Sequence, residues 1–108
     1  MANRWTKFLK YDQKCDLVIC LSHLGYKYNN DKISDIVLAS MTQDIDLIIG
    51  GHTHTFLSAP ETVKNAGGGI TTINQVGFGG INLGRIDYVF NRVKGKKLRK
   101  DSKAIIVK

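Results

Sequence analysis

Three histidines are the residues of this 108-residue chain most able to do chemistry, and their placement is not random. His52 and His54 close the run Asp46-Leu-Ile-Ile-Gly-Gly-His-Thr-His54. His23 closes a second apolar run, Asp16-Leu-Val-Ile-Cys-Leu-Ser-His23. Each therefore sits just past the end of a predicted strand, where open α/β sheets gather ligands in the crevice beyond the strands' carboxyl ends. Neutral imidazole is a good ligand for zinc, manganese, iron and similar metals. In extended backbone, residues i and i+2 point to one side, so a His-x-His loop aims two imidazoles at one cation, or at two cations a few ångströms apart. Gly50 and Gly51 let the chain turn sharply ahead of them. Alone, His23 reads as an ordinary hydrogen-bonded side chain. For the His52–His54 pair that reading is weaker, because two protonated imidazoles repel each other. Together the three read as half of a metal site.

The elements that must position them follow from periodicity. Residues 3–12 carry Trp5, Phe8 and Leu9 at helical spacing, with basic residues on the other face. Cys15–Leu21 is a continuous apolar run, the pattern of a strand buried on both faces. A loop from Ser22 to Asn30 holds His23. Asn30 then serves as a helix N-cap with Asp31 and Asp35 near the first turn, and Ile33, Ile36, Val37 and Met41 form the helix stripe. Ile45–Ile49 is the second buried strand. Short β segments are expected near 61–65, 70–76, 83–91 and 103–107, with Gly67-Gly68-Gly69 as a hairpin turn. The order α-β-α-β predicts an α/β fold with a parallel sheet covered by helices.

Composition narrows the classes. One domain at most is expected, with 43% hydrophobic residues and no segment near the ~18 apolar residues of a membrane span. Cys15 and Cys20 should face opposite sides of their strand and read as small buried residues rather than a disulfide or metal pair. The net charge of +7 is concentrated in a terminal block, since residues 92–108 hold eight of the sixteen basic residues. The Val-Lys-Gly-Lys-Lys sequence reads as a basic hairpin whose lysines keep an edge soluble. A nucleic-acid patch is the minor alternative.

Three motifs carry a family resemblance over residues 14–90. They are Asp16-Leu-Val-Ile-Cys-Leu-Ser-His-Leu-Gly25, Ile45-Asp-Leu-Ile-Ile-Gly-Gly-His-Thr-His54 and Asn74-Gln-Val-Gly-Phe-Gly-Gly-Ile-Asn-Leu-Gly-Arg-Ile-Asp87. In this order they resemble the C-terminal half of the calcineurin-like metallophosphoesterase domain, and more narrowly the bacterial 5′-nucleotidases. The resemblance implies part of a layered α-β-β-α sandwich with a two-metal site at the strand ends. It implies divalent zinc or manganese, a nucleotide or other phosphate-ester substrate, and a periplasmic or cell-surface parent. By the same resemblance His23 and His52 bind the second metal and His54 the first, while Gly51, Gln75 and Gly77 lie near the rim. Gln75 and Gly77 read there as loop architecture.

The family's Asp-x-His, Gly-Asp-x-x-Asp and Gly-Asn-His-Glu or Gly-Asn-His-Asp motifs are absent from the 108 residues. Two cations roughly 3.5–4 Å apart need bridging carboxylates, and three neutral imidazoles cannot replace them. Asp44 and Asp46 lie at the far end of the second strand, about 20 Å from His52 at ~3.3 Å per residue. A single partial domain is therefore expected: a phosphoesterase part, inactive alone, whose uncovered surfaces favour a homo-oligomer. The competing readings are a non-catalytic metal-binding or oligomerising module and, behind it, a basic nucleic-acid-binding domain.

Overall fold

The computed structural model describes residues 1–91 and 96–106, with Asn91 and the 96–106 segment known by backbone alone. Helix α1 (Ala2–Lys7) runs into a wider π-type turn over Phe8–Asp12. Strand β1 (Ile19–Leu21), helix α2 (Asp35–Met41) and strand β2 (Leu47–Ile49) follow. A hairpin of β3 (Glu61–Lys64) and β4 (Ile70–Asn74) comes next. A second hairpin pairs β5 (Asn82–Asn91) with β6 (Lys96–Ile106). Residues 92–95 and 107–108, both within the basic block expected as a hairpin, lie outside the described residues.

The main sheet has the order β1-β2-β4-β3, with β1, β2 and β4 parallel and β3 antiparallel to β4. The α-β-α-β expectation holds, and so do the four later β segments, although β6 begins seven residues before 103. The three-glycine turn is built on Asn65, whose side-chain oxygen accepts from the Gly67 and Gly69 amides at 3.0 Å each.

One face of the sheet makes the core. Ile48 and Ile73, both fully buried, pack with Ile45 and with Ala39 of α2, flanked by Cys20, Ile36 and Val63. Thr71 joins this buried strand because its hydroxyl donates to the Ile45 carbonyl at 2.7 Å. At the edge away from the histidines, Asp46 accepts from the Val18 amide at 2.8 Å and Asp44 from the Tyr11 hydroxyl at 3.0 Å.

Four expectations are corrected here. The first apolar run is not buried on both faces: Ile19 is half-exposed and Leu21 is 79% exposed. Helix α2 covers only one side, β1 lies at the sheet edge, and the other side opens into a groove of about 490 Å³ between Leu17, Ile19, Leu47 and Ile49 and the Leu83 and Ile86 of β5. Asn30 does not cap α2. Its side chain instead closes a local turn on the Lys32 amide at 2.9 Å, and Ser34 caps the helix by accepting from the Val37 amide at 3.3 Å. The later start leaves Ile33 outside the helix and exposed, and Met41 is exposed at its end, while Asp35 and Ala39 are buried and Ile36 still packs on the core. On α1 the buried residue is Thr6, while Trp5 and Phe8 meet edge to face on the outside, 6.0 Å apart.

Candidate metal centre

Because β1, β2 and β4 run parallel, their carboxyl ends share one edge of the sheet. The ladder continues past the strands: the Ser22 amide donates to the Ile49 carbonyl and the Gly50 amide to the Asn74 carbonyl, both at 2.9 Å. Ser22-His23, the Gly50–Thr55 loop and Gln75 thereby emerge side by side. The rings of His23 and His52 come within 5.0 Å, centroid to centroid, inclined at 66°. Gly51 lies against the first of them: a Cβ there would sit 3.3 Å from His23 Nδ1.

His54 does not join them. His52 and His54 both adopt left-handed backbone, with φ of +75° and +53°, so the loop is not extended and the same-side rule does not apply. The His54 ring stacks on Phe78, 4.9 Å away and inclined by 29°, and Phe78 in turn meets Phe56 edge to face at 5.6 Å. Of the two arrangements open to a His-x-His loop, one shared cation or two neighbouring ones, the pairing of His23 with His52 apart from His54 suits the second. Among the described residues no group of three or more His, Cys, Asp or Glu is arranged to hold a metal ion.

Gln75 organises the loop. It is buried, its Nε2 donates to the Gly51 carbonyl at 3.1 Å, and its Oε1 accepts from the Thr53 hydroxyl at 3.1 Å and from the Thr55 amide. The Thr53 hydroxyl also accepts from the Tyr26 amide at 3.0 Å, which ties the loop to the segment after His23. Gly77 has φ of +79° and lies under the Phe56 ring, where a Cβ would approach within 2.2 Å. Only glycine meets both demands.

Sequence reasoning missed Asp35. It reads as a solvated acid near a helix N-terminus, yet it is fully buried behind both histidine loops. Its Oδ1 accepts from the Ser22 hydroxyl, and its Oδ2 has no hydrogen-bond partner. Burial pushes its carboxyl above the usual carboxylate range, an effect opposed by the Ser22 hydrogen bond. The available signal was Ser34, a second N-cap candidate that places Asp35 and Ala39 four residues apart on one face. Cys15 and Cys20 are both free thiols, and burial, followed by the Asp35 charge, pushes the Cys20 thiol up.

The donor chemistry fits one side of a divalent-cation site. Two adjacent imidazoles suit zinc or manganese, but a shell of four or more needs further donors. Asp35 is committed to Ser22 and faces the Gly50 backbone, so it does not supply the missing carboxylate.

Comparison with known proteins places this geometry in context. No protein-family model matches the chain. It is 36% identical over 90 residues to the trifunctional nucleotide phosphoesterase protein YfkN of Bacillus subtilis, a match covering 83% of this chain and 6% of that protein. It is 45% identical over 53 residues to an apyrase of Tabanus yao, covering 48% of this chain and 8% of that one. Among solved structures, the 5′-nucleotidase precursor from Thermus thermophilus superposes with a TM-score of 0.80 at 26% identity, over 97% of this chain and 22% of that chain. The chain thus spans less than a tenth of the curated relatives it matches.

Proposed function

Since this chain is a relative of the 5′-nucleotidase-type phosphoesterases, we propose that it corresponds to the C-terminal part of their catalytic domain and supplies the histidine side of a two-metal site for hydrolysis of nucleotide phosphate esters. The observation that carries this reading is the meeting of His23 and His52 at the shared strand edge, 5.0 Å apart. These two would hold one divalent cation, and His54, once turned from Phe78, the other. Such cations, when bound, polarise the phosphoryl oxygens and lower the pKa of a water. The chain's own part is to hold imidazoles at fixed spacing, with Gln75 bracing the loop that carries two of them. The carboxylates that would balance a second cation come from a segment or partner outside these residues. The Thermus relative is described as a precursor, which supports an exported parent, in the periplasm or at the cell surface.

The test is metal content and phosphatase activity on one sample, with 5′-AMP and a generic phosphomonoester in added manganese or zinc. Residues 1–108 alone are expected to take up metal without turnover. His52→Ala should lower metal affinity by more than the roughly 10- to 100-fold lost when a residue that only orients a ligand is removed. No metal uptake by the unaltered chain would overturn the proposal.

The half-exposed Ile19 and Ile49 and the 79% exposed Leu21 favour a homo-oligomer formed through the uncovered sheet face. Sedimentation at micromolar concentration is expected to show a dimer. A clean monomer would rule that out.

A further inference from the structure

We propose that Asp35 is a positioning residue that sets the spacing of His23 and His52, gripping the first loop through the Ser22 hydroxyl and the second through the close-packed backbone at Gly50. The inference deepens the metal-site reading and rests on it for its functional meaning.

Asp35 is fully buried in the first turn of α2, where neither capping nor the helix dipole requires it to be. Ser34 already caps that helix. A position needing only volume would be filled at less cost by an apolar residue, because a carboxyl removed from water demands compensation. Its compensation comes from the site. Oδ1 accepts from Ser22, and the Ser22 oxygen accepts in turn from the Leu24 amide at 3.2 Å, so the turn bearing His23 folds around this hydroxyl. Oδ2 presses on the other loop: a Cβ at Gly50 would lie 2.1 Å from it and 3.2 Å from Gln75 Nε2. Asp35 and Gln75 therefore both close on the Gly50 backbone, and only a residue without a side chain fits there. The next residue, Gly51, abuts the His23 ring, and His52 follows. One side chain thus touches the residue before His23 and the residue two before His52.

The experiment uses the whole chain and its three histidines, whose imidazole proton signals are few enough to assign individually by NMR. In the unaltered protein a cross-relaxation peak between the His23 and His52 rings is expected. Asp35→Ala should abolish that peak and shift both ring signals while leaving His54 in place. It should also weaken zinc binding on the order of 10- to 100-fold. Asp35→Asn, which keeps the volume and an oxygen for the Ser22 hydroxyl, should restore the peak. A peak that persists in folded Asp35→Ala, or that is missing from the unaltered chain, overturns the proposal. If Asp35→Ala does not fold, Ser22→Ala decides: the His23 signal should move while His52 and His54 stay, and an unmoved His23 overturns it. A zinc titration of the unaltered chain that shifts no imidazole signal would discard the metal reading and leave the positioning test intact.

Discussion

Gln75→Ala is expected to destabilise the protein by about 1–3 kcal/mol and to loosen the loop that carries His52 and His54. The substitution strips the Thr55 amide of its acceptor, while the Gly51 carbonyl keeps the Thr53 amide at 3.0 Å. A polar group left unpaired away from water costs roughly 1–3 kcal/mol, more than the net worth of the bond it lost. The Thr53 hydroxyl is better placed, since the Thr55 hydroxyl remains 2.9 Å away. Gln75→Glu would keep an acceptor but set a carboxylate oxygen against the Gly51 carbonyl, so it should not rescue the loss. Urea unfolding measures the first effect, and the line widths of the two loop histidines measure the second. A loss below about 0.5 kcal/mol, the scale of an ordinary surface substitution, would refute the bracing role.

Ile48→Ala is expected to cost about 2–5 kcal/mol, whereas Ile49→Ala should cost less than about 1 kcal/mol. The residues are chain neighbours on β2, but Ile48 is fully buried beneath α2 and Ile49 opens into the groove. Deleting Ile48 removes transfer energy and leaves a cavity among Ala39, Ile45 and Ile73. The contrast appears as a shift in the urea midpoint for one variant at unchanged slope and almost none for the other. Equal losses would mean that the second face of the sheet is covered in solution.

The sequence made some of this legible for clear reasons. Apolar runs ending in Gly-Gly-His and Ser-His locate strand ends, and parallel pairing then brings those ends together whatever the loop details. Gln75 and Gly77 read as loop architecture, and their hydrogen bonds and backbone angle fill that part. The direction of His54 was hidden because a His-x-His spacing fixes a common side only in extended backbone, and both histidines are left-handed. The helix stripe was misread because Asn30 and Ser34 are equally good caps by type, and the later start puts Ile33 outside the helix. Burial on both faces of β1 could not be judged from its own residues, since it depends on what lies opposite. Asp35 was the hardest: a buried acid and a solvated first-turn acid have the same sequence signature, and only the Ser22 and Gly50 contacts separate them.

On the proposed reading of His52 and His54 as ligands, the left-handed backbone at residues 52 and 54 sets chemistry against ease of folding at the same two positions. A β-carbon in that region costs on the order of 1 kcal/mol, and Asn or Gly would be held there more comfortably than His. The imidazoles are therefore kept where the chain itself would prefer other residues. In a lineage that no longer used the site, these are the positions where drift should go first, toward Asn or Gly, and the loop would become steadier as it lost its ligands.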